Sequence, residues 1–547
     1  MTGRMKAGTT NADLVFLNAD VLTMDPTVPR AQAVAVRCGV IVDVGSNHDI
    51  LERVDSQTQI VECRGKCLIP AFHDAHIHLL ASASRLLSVD CGPGSVRSIT
   101  QIQQAIRRRC ELVPAGEWVR AGDYDEFYLA ERRHPTRWEL DAAAPDHPVK
   151  LQHRSHHSCV LNSLALKLAG IDGRFQAPIG AVVEIEETTG EPTGRLFEME
   201  AYLNDRVVPT MKDADLRAAL SLVFDDLLSQ GITSVQDATC RNGSRDWMLF
   251  RDAAVGEKLC PRVTLMVGDE HLDEMVGLGL RCGDGDDRLR IGPVKLMLTE
   301  AGGDFCPSLE ELAERVRAAH SKGYPVAIHA VEESTVCLAT EAVAAAGSSA
   351  PGPRLEHASI APPPLLDLIA ELEIGIATQP GFVYYHGDRY LVDVEDHLRD
   401  WLYPVKSMLS RGIVVAAGSD APIAPARPLR AVCAAATRLS QKGQVVNGGE
   451  AVSVEQALWM HTVAPAMLLG LDGKMGSITP GKLADLALLS ANQLMLPAEE
   501  IGDIRVEMTV VGGLVLPMEG RALPQRSSRH ESSGREAPLH PEVGVVR

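Results

Sequence analysis

Residues 67–80 read CLIPAFHDAHIHLL, and this stretch decides the fold. An apolar run ends on His76 and His78, which a single residue separates. Side chains at positions i and i+2 of a strand point to the same face, so both imidazoles can face one ion while Ile77 packs on the other side. Imidazole is a good ligand for divalent first-row metals. The pattern predicts a metal site at the end of a buried strand, provided that the rest of the chain supplies further ligands.

Four later apolar runs also end on residues that can bind a metal ion. They read IGPVKLMLTE, GYPVAIHAVEE, PRLEHASI and GIVVAAGSDAPI, and their ligand-type residues are Lys295, His329, His357 and Asp420. The spacings between these four residues are 34, 28 and 63 residues. A (β/α)₈ barrel of about 250 residues uses roughly 31 residues for each strand–helix unit. With the His-x-His pair on the first strand, the other ligands fall on the fourth, fifth, sixth and eighth strands.

The fold class that follows is α/β, with a (β/α)₈ TIM-like barrel over residues 71–470 and its site at the carboxyl ends of the strands. The gap from His78 to Lys295 is 217 residues, whereas three strand–helix units need only about 95. We assign the excess to an insertion near the start of the barrel, at about 85–215. Its alternating strand-like and helix-like runs predict a folded cap over the barrel mouth.

Both ends of the chain contain short β-branched runs separated by turn residues. Over residues 12–70 this pattern predicts a small antiparallel sheet, and the same texture returns in MGSITPGKLADLALL and VEMTVVGGLVL. We expect residues 1–70 and 471–520 to meet and build one small β-sandwich beside the barrel. Residues 521–547 are polar and rich in Pro, Ser and Arg, so we predict a disordered tail.

The composition is that of a globular protein with a large core, since 45% of the 547 residues are hydrophobic and 23% are charged. The formal net charge of −19 argues against nucleic-acid binding, which requires basic patches. No apolar signal segment begins the sequence, and no run of about 18 apolar residues predicts a membrane span. The twelve cysteines include no CxxC pair, so we expect reduced thiols in a cytoplasmic protein. The expected partner is a small-molecule substrate, and the chain could also form a homodimer.

The chain resembles the amidohydrolase superfamily of metal-dependent hydrolases and, within it, the amidohydrolase 3 or YtcJ-like branch. The resemblance covers about residues 12–516. It rests on the His-x-His strand and on six further stretches, which are DAAAPDHPV (141–149), RSHHSCVLNSLAL (154–166), GITSVQDA (231–238), RLEHA (354–358), GSDAPI (418–423) and GSITPGKLADL (476–486). It implies hydrolysis of a carbon–nitrogen bond other than a peptide bond.

The resemblance also implies that the ligands are divided between two metal ions. His76 and His78 would bind the more buried ion, and His329 and His357 would bind the second. Lys295 ends an apolar strand, where a bare ammonium is costly, and the resemblance implies that CO₂ can carboxylate it into a ligand that bridges both ions. An ordinary lysine in a salt bridge or on the substrate is the alternative. Zinc is the predicted metal, and iron or manganese also suits nitrogen and oxygen ligands.

Asp420 is predicted to bind metal and to act as the general base. It would take a proton from a metal-activated water, whose pKa falls from 15.7 to about 7, and pass it to the leaving nitrogen. A plain helix N-cap is the alternative, since Asp before Ala-Pro suits a helix start. His157 is predicted to polarise the substrate carbonyl from the cap, with a surface or structural role as its alternative. The predicted substrate-binding residues are Arg154, Asp125, Glu198 and Tyr385.

These observations predict a metal-dependent hydrolase that cleaves an amide, formamide or cyclic amide by attack of metal-activated hydroxide. The first alternative is a deaminase in which Lys295 stays uncarboxylated and a single metal is bound by His76, His78, His329 and Asp420. The second alternative is a non-catalytic scaffold on the same barrel. Metal stoichiometry and the need for CO₂ in reconstitution separate the first two, and a purified protein without metal would favour the third.

Overall fold

The computed structural model describes residues 11–178, 180–254, 259–301, 304–347 and 352–517. At its centre lies a parallel sheet of eight strands, whose spatial order follows the order of the chain. The strands are Phe72–Ile77, Ile232–Asp237, Arg262–Gly268, Leu289–Leu296, Val326–Ala330, Arg354–His357, Gly375–Thr378 and Val415–Ala417. They are buried along most of their length, as strands covered by helices must be. The predicted α/β class and TIM-like barrel are confirmed.

The first and the eighth barrel strand face each other at the seam of the nearly closed barrel. No ladder of paired residues joins these two strands in the described part of the chain, but single hydrogen bonds cross the seam at its carboxyl end. The Asp420 N–H donates to the His76 carbonyl at 2.7 Å. The Asp74 carboxylate accepts a hydrogen bond from the Ser419 N–H at 2.9 Å. The seam therefore lies directly beneath the predicted metal ligands.

Helices pack around the outside of the barrel. The helix that leads into the second strand, Asp213–Ser229, buries Leu216, Leu220 and Leu227 on one face, as an amphipathic helix requires. No described helix is both long enough and apolar enough to cross a lipid bilayer. The other helices of this region are Leu79–Leu86, Ser244–Ala254, Leu272–Gly277, Leu309–Ser321, Glu333–Ala346, Pro363–Glu371, Gly381–Asp393, Asp396–Arg399, Val405–Ser410, Pro428–Thr437, Val454–Met460 and Val463–Leu468.

An α/β unit, here called the insertion (Val89–Arg206), separates the first barrel strand from the second. Its helices are Ile99–Cys110, Arg137–Ala143, Ser163–Ala169 and Glu200–Arg206. Its six-stranded sheet has the spatial order Val182–Ile185, Pro192–Phe197, Ser158–Leu161, Val149–His153, Val119–Tyr124 and Val89–Asp90.

Two arginines of barrel helices hold the insertion. Arg85, in the helix after the first barrel strand, forms an ion pair with Asp123. Arg389, in the helix after the seventh strand, donates to Asp125 at 3.1 Å and to Glu126 at 2.9 Å. Because both helices follow the carboxyl ends of their strands, the insertion contacts the face of the barrel that carries the predicted ligands.

Two further sheets contain the strands near the ends of the chain. The first has the order Val40–Gly45, Ala33–Arg37, Leu14–Leu17 and Gln59–Glu62. The second combines strands from both ends, in the order Leu514–Pro517, Val506–Val511, Leu486–Leu489, Cys67–Pro70, Asp20–Leu22 and Arg30–Ala31. Phe16 and Val34 of the first sheet share an apolar cluster with Leu68 and Leu486 of the second. The two sheets are therefore packed against each other.

The prediction that the N-terminal strands pair only in the antiparallel sense is wrong. Two pairs are parallel, Leu14–Leu17 with Gln59–Glu62 and Asp20–Leu22 with Cys67–Pro70. Parallel neighbours need a long connection, and here it contains a hairpin and the short helix Asn47–Leu51. Turn residues in the sequence reveal hairpins, but they carry no information on pairing between strands that are distant in the chain.

A few remaining features complete the fold. A hairpin of Thr299–Ala301 and Asp304–Cys306 follows the fourth barrel strand. All twelve cysteines are free thiols. The predicted disordered tail, residues 521–547, lies outside the described residues.

Candidate metal centre

The carboxyl ends of the barrel strands bring four predicted ligands together. One ligand atom each of His76, His357 and Asp420 lies within 4.8 Å of the other two. His78 Nε2 lies 3.0 Å from Asp420 Oδ1, and His76 Nε2 lies 3.5 Å from the same oxygen. These residues come from the ends of the first, sixth and eighth strands, which are the strands that the sequence spacing indicates.

His329, the predicted ligand on the fifth strand, packs against this group. Its ring centroid is 4.6 Å from that of His357, whose own ring is 4.8 Å from that of His76. Burial lowers the pKa of His329 well below its ordinary value, and the neighbouring His357 acts in the same direction. His329 is therefore a neutral imidazole, the form that binds metal ions.

Hydrogen bonds at Nδ1 orient three of the imidazoles. The pairs are His76 with the Glu356 carboxylate, His78 with Thr239 Oγ1 at 3.1 Å, and His357 with Gln379 Oε1 at 2.9 Å. Each bond leaves Nε2 of the ring for another partner. Metal-binding histidines usually engage their second nitrogen in this way, which fixes the ring and raises its basicity. The arrangement is typical of a metal site.

A buried ion pair supports His76 from inside the barrel. Glu356 is fully buried, and its second oxygen accepts a hydrogen bond from Arg354 Nε at 2.5 Å. Arg354 also donates to Gln236 Oε1. Arg354 and Glu356 were not among the predicted site residues, although their spacing of two residues on a strand places both side chains on the same face. His357 follows with a φ of +74°, in the left-handed region.

Replacing Arg354 by Met is expected to lower the free energy of unfolding of the metal-free protein by about 3 kcal/mol, because it leaves the Glu356 carboxylate buried without its cation. Urea denaturation measures this change. Arg315→Met is the matched control, since the side chain of Arg315 is 46% exposed in its pair with Asp269. Its loss should cost less than about 1 kcal/mol. Equal effects of the two substitutions would contradict the role assigned to Arg354.

Lys295 lies inside the barrel at the end of the fourth strand. It is 1% exposed, and its Nζ has no hydrogen-bond partner among the described residues. Burial lowers the pKa of the amine. Its charge acts on the imidazoles of His76, His329 and His357, so it lies beside the ligand group. A buried ammonium without a partner is costly. The described residues supply no hydrogen-bond partner that would compensate the charge of Lys295.

Asp420 stands in a turn after the eighth strand, with a φ of +56°. The N-cap alternative is wrong, since the next helix begins only at Pro428. Its Oδ1 is buried, and His78 Nε2 lies 3.0 Å from it. Burial acts to raise the pKa of Asp420, but the hydrogen bond from His78 and the electrostatic effect of the imidazoles of His76, His78 and His357 outweigh it and hold the pKa below its ordinary value. Asp420 is therefore a carboxylate at neutral pH.

This donor set fits a divalent cation. Imidazole nitrogens and a carboxylate oxygen converge, and a neighbouring buried amine has no hydrogen-bond partner among the described residues. First-row metals such as zinc take ligands of this kind. The residues that would hold the ion are His76, His78, His357 and Asp420, with His329 and Lys295 beside them.

The metal-free protein is expected to lose stability on mild acidification. Below about pH 6.5 the unfolded chain takes up protons on histidines that stay neutral in the folded chain. Each such histidine costs about 1 kcal/mol of unfolding free energy between about pH 7.5 and 5.5. Asp74, whose pKa burial raises to about 6, and His157, whose pKa the hydrogen bond to Glu198 raises, act in the opposite direction but are outnumbered. Burial lowers the pKa of His73, His76, His329, His357, His386 and His461.

Urea denaturation of the metal-free protein at the two pH values measures this loss. His397→Asn is the control, because the side chain of His397 is 72% exposed, and its replacement should leave the pH dependence unchanged. Equal stability at both pH values would show that the buried histidines do not govern it.

His157 and Glu198 form a pair in the insertion. His157 Nδ1 lies 2.6 Å from Glu198 Oε1, and the side chain of His157 is 50% exposed. The hydrogen bond to Glu198 raises the pKa of His157. The negative charges of Glu332 and Asp420 add to this effect.

The other predicted substrate-binding residues have partners of their own. Arg154 lies 2.7 Å from Asp125 in an ion pair, and its Nη1 lies 3.2 Å from His386 Nδ1. Tyr385 lies elsewhere, in the lining of a small pocket between the first and the eighth barrel strand. The structure does not bring Tyr385 together with the ligand group.

A second group of ligand-type side chains lies in the insertion. Atoms of Asp125, Glu126 and His153 lie within 4.8 Å of one another. Arg389 binds both carboxylates, and Arg154 binds Asp125. These cations already neutralise the group, so we assign it to anchoring the insertion and not to a metal.

A parallel eight-stranded barrel that gathers imidazoles and a carboxylate at its carboxyl ends defines a metal-dependent hydrolase. The chain belongs to the amidohydrolase family, since the model of that family matches residues 59–517. It is therefore a hydrolase of carbon–nitrogen bonds, as the sequence analysis predicts.

Relatives of known sequence and structure agree with this assignment. The chain is 31% identical over 538 residues to an N-substituted formamide deformylase of Arthrobacter pascens, with 92% of this chain and 98% of the relative covered. It is 27% identical over 526 residues to the putative amidohydrolase YtcJ of Bacillus subtilis (strain 168), with 91% and 98% covered. An uncharacterized metal-dependent hydrolase from Pyrococcus horikoshii OT3 has a similar crystal structure, with a TM-score of 0.73, 24% identity, and 89% of this chain and 99% of that chain covered. This last similarity supports the fold.

Proposed function

We propose that the protein hydrolyses the bond between the acyl carbon and nitrogen in N-substituted formamides, with other small amides and cyclic amides as weaker substrates. The observation that carries the proposal is the convergence of ligand atoms of His76, His357 and Asp420 within 4.8 Å of one another. One relative that matches this chain almost end to end, at 31% identity, is named as a deformylase of N-substituted formamides, and this favours the formyl group over larger acyl groups.

The residues of the centre have distinct tasks in this proposal. A bound divalent cation would supply a nucleophilic water at neutral pH by lowering the pKa of that water from 15.7 to about 7. Asp420 accepts the proton of the attacking water at a carboxylate oxygen and later donates it to the leaving nitrogen. His157 donates to the substrate carbonyl, and Glu198 keeps His157 in its orientation. Substrate contacts of Arg154, Asp125 and Tyr385 stay predictions.

We favour zinc, bound as two ions with a carboxylated Lys295 between them. The support is the unpartnered Nζ of Lys295, buried beside the imidazoles. Carboxylation would turn this amine into an anion with two oxygen ligands, and the cations would then compensate its charge. The deaminase alternative, in which His76, His78, His329 and Asp420 bind one ion, does not explain why Lys295 is buried.

We also propose how the parts of the chain divide the work. The insertion, predicted at about 85–215 and observed as Val89–Arg206, acts as a cap over the barrel mouth, because Arg85 and Arg389 of the barrel helices hold it on that face. The sheets of residues 1–70 and 471–520 act as one β-sandwich beside the barrel of residues 71–470. A homodimer stays a prediction.

Elemental analysis followed by an activity screen tests the proposed function. We expect about two metal ions for each chain, as in two-metal hydrolases, and faster hydrolysis of N-formyl than of N-acetyl derivatives of the same amine. Hydantoin-like and lactam compounds complete the panel. Release of ammonia from amino-heterocycles with one metal ion for each chain would favour the deaminase, and a protein purified gently without metal would favour the scaffold.

A further inference from the structure

Asp237 ends the second barrel strand, beside the strand that leads to His78. The two strands are paired in parallel, with Asp237 opposite Ile77, and the Ala238 N–H donates to the Ile77 carbonyl at 2.9 Å. The side chain of Asp237 is fully buried. A buried carboxyl group is costly unless it is hydrogen-bonded, so the partners of Asp237 show what it stabilises.

One oxygen of Asp237 holds the backbone directly after His78. Asp237 Oδ2 accepts a hydrogen bond from the Leu79 N–H at 2.7 Å, and Leu79 is the first residue of the helix Leu79–Leu86. The first N–H groups of a helix have no partner within the helix. The side chain of His78, the residue before this helix, makes no capping hydrogen bond. Asp237 therefore supplies, from another strand, the acceptor that a capping side chain usually provides.

The other oxygen of Asp237 holds the loop that contacts the ring of His78. Asp237 Oδ1 accepts hydrogen bonds from the Thr239 N–H at 3.1 Å and from Asn242 Nδ2 at 2.8 Å. Thr239 Oγ1 lies 3.1 Å from His78 Nδ1. When Nε2 of such a ring binds a metal ion, the ring proton is on Nδ1 and can be donated to this hydroxyl group. The Asn242 carbonyl accepts from the Gly268 N–H at 2.9 Å, which ties the loop to the end of the third strand.

We propose that Asp237 is a positioning residue of the metal centre, which fixes the ligand His78 by two routes. One route runs through the backbone N–H of Leu79, and the other runs through the hydroxyl group of Thr239. His78 needs this support because its side chain is 25% exposed, whereas that of His76 is 1% exposed and is held by packing. The inference rests on the proposed function, which assigns His78 to the metal.

Thr239→Val tests the route to the ring, because valine has a similar shape but no hydroxyl group. We expect the dissociation constant for zinc to rise by about tenfold, since partners of metal-binding histidines contribute factors of about 10 to 100. Thr239→Ser should restore most of the affinity, because it restores the hydroxyl group. Competition with a chelator measures the affinity. Thr340→Val is the matched control, since Thr340 is also buried but bonds the Val336 carbonyl within its own helix, and its zinc affinity should equal that of the wild type.

Asp237→Asn tests both routes at once. Asparagine keeps one acceptor oxygen, but its NH₂ group cannot accept a hydrogen bond from the N–H that it would face. We expect zinc affinity to fall by about a hundredfold, at the upper end of the usual range for such residues. The visible absorption spectrum of the cobalt-loaded protein, which reports ligand geometry, should also change.

Asp141→Asn is the matched control for Asp237→Asn. Asp141 also accepts the first N–H of a helix, from Ser163 at 2.8 Å, but this helix lies in the insertion. The control should lose stability and keep the zinc affinity and the cobalt spectrum of the wild type. A purely structural role for Asp237 predicts that the two variants behave alike, with lower stability and unchanged zinc binding.

These measurements separate the positioning role from the proposed function. If the wild type does not hydrolyse formamides, but Thr239→Val and Asp237→Asn weaken zinc binding and Thr239→Ser restores it, the proposed function fails and the positioning role stands. If Asp237→Asn binds zinc as tightly as the wild type, with the same cobalt spectrum and the same turnover of formamides, the positioning role is overturned and the proposed function stands.

Discussion

Asp420→Asn is expected to reduce kcat by about a thousandfold while most of the metal stays bound. The amide of asparagine cannot accept and return a proton at neutral pH, and general acid–base catalysis usually contributes factors of this size. Metal should be retained because His76, His78 and His357 still converge on the same point. The measurement is turnover for each bound metal ion, with metal content determined by elemental analysis on the same sample.

Asp485→Asn is the matched control for this prediction. Asp485 is also buried, but it forms an ion pair with Arg262 at 2.7 Å. Arg262 begins the third barrel strand, so this pair lies at the amino end of the barrel, opposite the metal ligands. Its replacement should lower the free energy of unfolding and leave kcat unchanged. An Asp420→Asn protein with undiminished turnover would refute the role of Asp420 as the proton acceptor.

Lys295→Met is expected to give the second largest effect, a loss of metal and of at least about a hundredfold in kcat. The methionine side chain has a similar length and no charge. Since Lys295 Nζ has no described partner, its removal should leave the metal-free protein equally stable or more stable, because an uncompensated buried amine is costly. Reconstitution of the wild type should require bicarbonate, and that of the variant should not respond to it.

Lys150→Met provides the contrast for Lys295. Lys150 is also buried, but its Nζ lies 2.6 Å from Glu200. Its replacement leaves the Glu200 carboxylate without its cation and should destabilise the protein. Metal content should be unchanged in this variant. Full metal occupancy and full turnover in Lys295→Met, with reconstitution independent of bicarbonate, would exclude the bridging lysine and favour a centre with one ion.

Spacing predicted the positions of the ligand strands because a strand followed by a covering helix has a nearly constant length. Thus Lys295 and His329 fall on neighbouring strands, and one strand without a predicted ligand separates the strand of His357 from that of Asp420. Pairing between distant strands had no such regularity. The parallel partner of Leu14–Leu17 is Gln59–Glu62, and nothing local in either segment specifies the other.

The residues that support the ligands were harder to predict than the ligands. Glu356 and Arg354 stand inside the RLEH motif, but their role depends on which side of a short strand faces the barrel interior. His156 and His157 look equivalent in the sequence. In the structure they differ, since the side chain of His157 is half exposed and paired with Glu198, whereas His156 stands in a turn with a left-handed φ of +62°. Asp420 likewise resembles a helix cap in sequence, and only the missing helix after it excludes that role.

A metal ion at the seam of the barrel would also connect the two strands that meet there. His76 and Asp420 lie on opposite sides of the gap where the described strands form no ladder, and a single backbone hydrogen bond of 2.7 Å joins them. An ion bound by both residues would link the first and the eighth strand of the barrel. A ligand that binds only the folded state stabilises that state. Removal of the ion with a chelator should therefore destabilise the first and the eighth strand together. The backbone amides of both strands should then exchange with solvent in a correlated way.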